Sequence, residues 1–214
     1  MLYLILMKIE IDPKTTERAQ SFEIWKNAPM PKVTLVKTFD VSRLVRFSRR
    51  KGLKINMLMC WCIAKAAKDI KEFYMLPMGE KYLKYDRLAV NIVVPVRNGG
   101  VTLCDIPFSE DLKQFNDDYQ RLTQIVHETG EPHNLSDDFM VISTSALPDC
   151  EIDTVVSIYA EVFNTPFLAW GKYRRHLFKT LLPISFQFHH AQMDGLEAAK
   201  FLNALQAEFK KVNI

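Results

Sequence analysis

Hydrophobic and polar residues change their spacing several times along the chain, and each change predicts a new element. Residues 182–188 alternate as a strand does, and residues 196–212 have apolar positions three and four apart, as in an amphipathic helix. The same two periods recur upstream and predict four more helices among strands. The predicted helices cover residues 12–27, 40–51, 55–70 and 109–128, and the predicted strands cover residues 32–39, 81–85, 88–96, 101–105, 139–145, 153–159 and 167–173.

Turn and cap residues support these boundaries. Asp12 and Pro13 form a helix start, Gly52 ends the second helix, and Asn98-Gly99-Gly100 is a hairpin turn. No repeat, linker or low-complexity segment interrupts the pattern. Mixed strands with helices on one face predict an α/β (α+β) fold, a two-layer sandwich that forms a single domain over residues 1–214.

Composition narrows the classes of function. The chain has 214 residues, of which 48% are hydrophobic and 25% charged, as in an ordinary globular domain. A net charge of +3 is too small to indicate nucleic acid binding, but it suits an anionic cofactor. One basic cluster is either a solvated helix face or a patch that contacts phosphate. Its members are Arg43, Arg46, Arg49, Arg50, Lys51 and Lys54.

Cysteine usage and the amino terminus point to an intracellular protein without a metal. Cys60 and Cys62 lack a second ligand pair at zinc spacing, so we interpret them, like Cys104 and Cys150, as thiols. The apolar residues 1–6 are too few for a signal peptide or a membrane span, and Met7 is an equally good start. We therefore expect a cytoplasmic protein with no membrane partner.

The residues between the last predicted strand and the last predicted helix are the candidates for catalysis. They read Phe188-His-His-Ala-Gln-Met-Asp-Gly195. A histidine at the end of a strand is held by the sheet and exposed by the turn that follows. Because imidazole titrates near neutral pH, a histidine there suits general base catalysis.

Three segments in order carry a resemblance to a known family. They are Arg18-Ala-Gln-Ser-Phe-Glu23, Ile142-Ser-Thr-Ser-Ala-Leu-Pro148, and Trp170-Gly-Lys-Tyr173 followed by His-His-x-x-x-Asp-Gly195. Together they resemble the chloramphenicol acetyltransferases and, more loosely, the catalytic domains of dihydrolipoamide acyltransferases. The second family is the poorer match, since no lipoyl domain or Ala/Pro linker precedes the core.

The resemblance implies an activity and an assembly. It implies acetyl transfer from acetyl-CoA, without a metal, to a hydroxyl of chloramphenicol or a related acceptor, and hence antibiotic resistance. It also implies a homotrimer whose active sites lie between subunits, one subunit giving the histidine and its neighbour Ser145. Two alternatives stay open: an acyltransferase for a different alcohol, and a catalytically silent homologue that binds coenzyme A.

Roles follow residue by residue from the same resemblance. It makes His190 the general base and leaves His189 as a packed strand histidine. It makes Ser145 the donor to the oxyanion, although a serine at a strand end also bonds locally to backbone. It pairs Asp194 with Arg18 as a support for the loop around the base.

The resemblance also assigns binding residues and shows departures. It places Lys172, Tyr173 and Ser143 at the cofactor. The acceptor pocket corresponds to Trp25, Ile24, Val33 and Val101, with less ring area than the family has, and Pro31 stands for a family cysteine. Ala169 replaces a threonine that helps to stabilise the oxyanion. Aromatic burial supplies much of the affinity for a nitrophenyl ligand, so the smaller ring area of the pocket predicts weaker binding of chloramphenicol.

Overall fold

The computed structural model describes residues 8–158 and 164–212. These residues form ten strands and five α-helices, with short 3-10 helices at Pro13–Thr15 and Lys71–Tyr74. The strands are β1 (Lys8–Ile11), β2 (Lys32–Asp40), β3 (Met75–Met78), β4 (Lys81–Tyr85), β5 (Leu88–Pro95), β6 (Val101–Pro107), β7 (Met140–Ala146), β8 (Phe167–Trp170), β9 (Arg174–His176) and β10 (Lys179–His189). The helices are α1 (Ala19–Trp25), α2 (Ser42–Lys51), α3 (Ile55–Ala67), α4 (Leu112–Thr129) and α5 (Gly195–Lys211).

Seven strands form the main sheet. Its order is β2-β10-β8-β7-β5-β6, and β9 pairs with the first residues of β10. The pairs β5–β7 and β7–β8 are parallel and the others antiparallel, so the sheet is mixed. A separate three-stranded sheet has the order β1-β4-β3. The long strand β10 is therefore paired along its whole length. It ends at His189, next to the candidate base His190.

Helices α2 to α5 pack on one face of the main sheet. Phe186 and Phe188 of β10 point into this layer, and the ring of Phe186 lies 4.7 Å from that of Phe201 on α5. Apolar burial of this kind drives the packing of the two layers. The predicted two-layer α/β sandwich is confirmed.

Two predicted elements are wrong. The helix predicted over residues 12–27 is broken into a 3-10 turn and the seven-residue α1, because Asp12 and Thr16 bond to nearby backbone. Residues 153–158 are not a strand; they lie along the sheet, where the Val155 amide donates to the Ser185 hydroxyl. Residue 159, the end of that predicted strand, and residues 1–7 lie outside the described residues.

The cysteines are free thiols. Cys60, Cys62 and Cys104 are buried, and Cys150 is exposed. Burial raises the pKa of Cys60 and of Cys104 to about 12 each, which leaves both protonated and unreactive at neutral pH. Among the described residues no cluster of three or more His, Cys, Asp or Glu side chains is arranged to hold a metal ion. No helix in that part of the chain is both long and apolar enough to cross a membrane.

Candidate active site

His190 lies one residue beyond the end of β10. Its amide donates to the Pro31 carbonyl at 2.8 Å, just before β2 begins, so the sheet edge fixes its backbone. Its ring stacks on Trp25 of α1, with the ring centroids 4.5 Å apart and the planes 2° from parallel. The imidazole is half-buried. Packing therefore sets the orientation of the ring, as a general base requires.

Arg18 clamps the loop that carries His190. Its Nη2 donates to the His190 carbonyl at 2.9 Å and its Nε to the Ala191 carbonyl at 2.8 Å. Its Nη1 lies 3.2 Å from Oδ2 of Asp194. Tyr82 adds a hydroxyl bond of 2.7 Å to the Ala191 carbonyl. One guanidinium thus satisfies two backbone carbonyls and one carboxylate, and the predicted Arg18–Asp194 pair is present.

Asp194 also caps the amino terminus of α5. Its Oδ1 accepts the Leu196 amide at 3.1 Å, and with Glu197 it forms a capping box. Hydrogen bonding with Glu197, then with the Leu196 amide and Arg18, lowers the pKa of Asp194. The carboxylate therefore links the helix to Arg18 instead of facing a substrate.

His189 occupies a different environment. Its side chain is buried, and its Nδ1 accepts the Ala191 amide at 3.1 Å. Burial, followed by the charges of Lys32 and His190, lowers the pKa of His189 to about 4. A histidine held neutral by burial, with Nδ1 engaged by an amide, is a structural residue.

The Nδ1 atom of His190 is incompletely satisfied. It is buried and has no hydrogen-bond partner among the described residues. A buried ring nitrogen normally finds a partner, and leaving it without one costs free energy. A single chain therefore leaves this imidazole with hydrogen-bonding capacity for another group.

Ser145 does not meet His190 within one chain. In the register of the sheet, Ser145 pairs with Ala169, which pairs with Ser185, and His190 follows five residues after Ser185. Two strand spacings across and five residues along the sheet separate the two side chains by roughly 15–20 Å. The Ser145 hydroxyl and the His190 imidazole cannot act on one substrate in the same chain.

The predicted cofactor residues lie near β7 and β8. Lys172 is exposed, and the Tyr173 hydroxyl accepts from Nη2 of Arg49 at 3.3 Å. The Ser143 hydroxyl lies 3.1 Å from that of Thr165. Before Lys172, Gly171 allows a close chain crossing, since a Cβ there would lie 2.4 Å from the Cys150 carbonyl oxygen. The Lys172 amide donates to the Cys150 carbonyl at 2.7 Å, so the crossing fixes the backbone at Lys172.

The predicted acceptor residues fall into two groups. Trp25, Ile24 and Val33 belong to α1 and β2, next to the His190 loop, although Val33 packs partly on the core. Val101 lies on β6, at the opposite edge of the sheet, and is 67% exposed. Five strand spacings, roughly 24 Å, separate β2 from β6. These residues cannot line one pocket of a single chain.

Sequence patterns did not reveal every residue of the site. Tyr82 and the Pro31 carbonyl both hold the His190 loop. Tyr82 occurs in an ordinary alternating strand, and a backbone carbonyl leaves no trace in side-chain patterns. Stacking of Trp25 on His190 likewise has no sequence signal, because the two residues are 165 positions apart in number.

Comparison with known proteins identifies the family. The family model for chloramphenicol acetyltransferase matches residues 7–206. Chloramphenicol acetyltransferase 3 of Escherichia coli is 24% identical over 208 residues, covering 92% of this chain and 94% of the relative. Chloramphenicol acetyltransferase 2 of Escherichia coli is 26% identical over 202 residues, with the same coverage. The chain belongs to the chloramphenicol acetyltransferase family, whose members are acetyl-CoA-dependent acyltransferases, and it is an enzyme of that class.

Solved structures agree on the fold. A chloramphenicol acetyltransferase superposes with a TM-score of 0.84 at 19% identity, covering 94% of this chain and 99% of the other. A probable dihydrolipoamide acetyltransferase from Listeria monocytogenes superposes with a TM-score of 0.70 at 15% identity, covering 91% and 90%. At these identities the likeness concerns the fold alone, and it includes both families named from the sequence.

We expect Arg18→Ala and Asp194→Ala to lower kcat for acetyl transfer by similar factors, and the double variant to be little worse. Either change already releases the loop, so the pair should show a coupling of about 1–3 kcal/mol in a double-mutant cycle. The matched control is the exposed pair Lys113 and Asp117 on α4, whose alanine variants should leave kcat unchanged. Fully additive effects on kcat would contradict the pairing.

We expect His189 to destabilise the fold in acid. Its folded pKa of about 4 lies below the ordinary value of 6.5. Between these values only the unfolded chain binds the proton, so stability falls as pH falls from about 6.5 to about 4, by up to about 3 kcal/mol. His189→Asn, which keeps an acceptor for the Ala191 amide, should lose less stability over that range in urea unfolding. The control is His176→Asn, at an exposed histidine. Equal acid losses in wild type and His189→Asn would contradict this assignment.

Proposed function

We propose that this protein transfers an acetyl group from acetyl-CoA directly to an alcohol, with His190 as the general base. The observation that carries the proposal is the fixed imidazole: Trp25 stacks on it, and Arg18 and the Pro31 carbonyl hold its backbone. Membership of an acyltransferase family supplies the reaction class.

The reaction uses the imidazole twice, in a complex of enzyme, acetyl-CoA and acceptor. His190 takes the hydroxyl proton as the acceptor oxygen attacks the thioester carbonyl, and a tetrahedral oxyanion forms. The intermediate then collapses: the carbon–sulfur bond breaks, the imidazolium returns its proton to the coenzyme A thiolate, and the acetyl ester is released. The Ser145 hydroxyl donates to the oxyanion, a contribution typically worth about a hundredfold or more in rate.

The site forms between two copies of the chain, as expected for a homotrimer. Three observations support this: the separation of Ser145 from His190, the Nδ1 of His190 without a partner among the described residues, and the part of the sheet face that neither the helices nor residues 153–158 cover. That face, opposite the helices, also bears exposed apolar side chains that a second copy would cover. They are Val36, Val93, Val101 and Leu103. Val101 of one copy would then join Trp25, Ile24 and Val33 of another around the acceptor.

Acetyl-CoA is the co-substrate in this proposal. Its phosphates are anionic, and Lys172 lies on the surface near α2, where Arg49 contacts Tyr173. Arginine forms strong paired hydrogen bonds with phosphate, so this end of α2 suits the nucleotide part of the cofactor. Ser143 lies on the same open sheet face as Ser145, two residues earlier on β7. We also propose that the enzyme works in the cytoplasm.

Chloramphenicol is the first acceptor to test, and another alcohol is the second candidate. Ala169 is buried between Ser145 and Ser185, and the Ser185 hydroxyl is already bonded to Val155 and Thr154. Ala169 itself supplies no hydroxyl in place of the family threonine. With valine at positions 33 and 101 as well, we expect a high KM for chloramphenicol. The enzyme then confers resistance only if its turnover of chloramphenicol is fast enough to offset the weak binding. A panel of alcohols with acetyl-CoA tests the proposal, and a chain that acetylates none is the silent homologue.

We expect His190→Ala to remove nearly all acetyl transfer, by roughly a thousandfold or more in kcat, because it deletes the base. Circular dichroism and acetyl-CoA binding should stay close to wild type. His189→Asn is the matched variant and should keep most of its activity at neutral pH. If His189→Asn were inactive and His190→Ala active, the assignment of the base would be reversed.

We expect His190→Ala and Ser145→Ala chains to complement each other when they are refolded together. In a mixed oligomer, a site with His190 from one copy and Ser145 from the other is intact. Random assortment gives about a quarter of sites with both groups. Activity well above that of either variant alone, measured on the purified mixture, supports sites between copies. No gain in mixtures shown to contain both chains would place the whole site within one chain.

A further inference from the structure

The hairpin between β9 and β10 exposes two large apolar side chains. Leu177 is 88% exposed and Phe178 is 95% exposed, the highest values among the exposed hydrophobic residues. Single exposed hydrophobic residues are common, but two consecutive ones at a projecting tip form a contact surface. Neither belongs to the active site.

The backbone at this tip is unusual for leucine. His176 pairs with Lys179, so Leu177 and Phe178 form a two-residue hairpin loop. Such loops require positive φ and normally contain Asn, Asp or Gly. Leu177 has φ of 44° and is the one non-glycine residue with positive φ in the described part of the chain. Leucine is costly here both for its backbone and for its exposure, which points to a function of the side chain.

Cations surround the tip. A groove of about 490 Å³ runs beside Phe178 and is lined by Arg43, Arg46, Lys179 and Lys210, with Asp40 and Ser42. The four cations outnumber the single carboxylate. Within the described residues none of the four forms an ion pair, although Arg43 donates to the Lys210 carbonyl at 2.7 Å. The groove thus presents positive charge to solvent.

The tip is remote from the proposed base. Lys179 begins β10 and His189 ends it, ten residues later, which corresponds to roughly 33 Å of extended strand. A partner at the tip would leave the loop around His190 untouched. The cations of the groove also differ from Arg49 and Lys172, which we assign to acetyl-CoA.

We propose that the Leu177–Phe178 tip and the cationic groove beside it dock the protein on the surface of a bilayer that contains anionic phospholipid. The two apolar side chains enter the region between headgroups and acyl chains, and the four cations face the lipid phosphates. Charge complementarity selects a lipid surface over an uncharged partner. A lipid partner differs from the sequence-based expectation of no membrane partner, and the proposal is independent of the proposed function.

Vesicle flotation tests the proposal with the whole protein. One set of vesicles is phosphatidylcholine alone, and the other adds phosphatidylglycerol. We expect the wild type to float with the anionic set and to be released by salt. The variant Leu177→Gly with Phe178→Ser should bind at least tenfold more weakly, because it removes the apolar contact. Since glycine suits φ of 44°, this variant should fold at least as well as the wild type and keep its acetyl transfer.

Three further variants separate the contributions and supply a control. Lys179→Gln with Lys210→Gln should weaken binding by about fivefold per lysine, the value of a cation near an anionic surface. Ile125→Ser, at an exposed residue of α4, is the control and should bind like the wild type. In the Phe178→Trp variant, tryptophan fluorescence emission should shift to shorter wavelength when anionic vesicles are added.

Each negative result overturns the proposal. Wild type that stays unbound with anionic vesicles excludes a lipid partner. Undiminished binding of the Leu177→Gly, Phe178→Ser variant excludes the tip. If the tip variant instead dissociates an oligomer in sizing experiments while the wild type ignores lipid, the tip is a contact between copies of this chain.

Discussion

The candidate site depends on the hydrogen bonds and the ion pair that the guanidinium of Arg18 forms. This guanidinium joins the amino-terminal segment to two neighbouring parts of a segment that is distant in sequence: the carbonyls of the loop after β10 and the cap of α5. A half-exposed ion pair contributes little net stability by itself. A carbonyl left without a donor costs more, so the clamp acts chiefly by satisfying backbone groups: Arg18 donates to the His190 carbonyl and to the Ala191 carbonyl. Tyr82 makes the same contribution at the Ala191 carbonyl.

The two adjacent histidines show how strongly position decides chemistry. His189 is the last residue of a fully paired strand, and burial keeps it neutral while the Ala191 amide occupies its Nδ1. His190, one residue later, turns to the Trp25 ring and keeps its Nδ1 without a partner among the described residues. His190 follows the strand, at the turn that Arg18 and the Pro31 carbonyl hold. The end of the strand therefore separates a structural histidine from one that is available for chemistry.

The sheet also limits what one chain can do. Its register separates Ser145 from His190 and puts β2 and β6 at opposite edges. Strand spacing and rise are nearly invariant, so no change of rotamer brings the two side chains together. The proposed function therefore has a second copy complete the site. Its contact face would be the sheet face that the helices leave open, which carries both serines of the proposed site.

The sequence by itself determined the layer architecture, the helices α2 to α5 and the long strands, because each has a strong period that burial on one face requires. Its motifs also predicted His190, Asp194 and Arg18 as site residues, and the structure brings these three together. It overstated the first helix, where local hydrogen bonds outweigh a weak pattern. It also overstated the strand at residues 153–159, whose described residues bond to side chains of β10 instead. Only the tertiary structure decided that Trp25 stacks on His190, that Tyr82 and the Pro31 carbonyl hold its loop, and that Ser145 and Val101 lie far away. Those facts are distances between remote segments, and they follow from strand order and register, which one-dimensional periodicity does not encode.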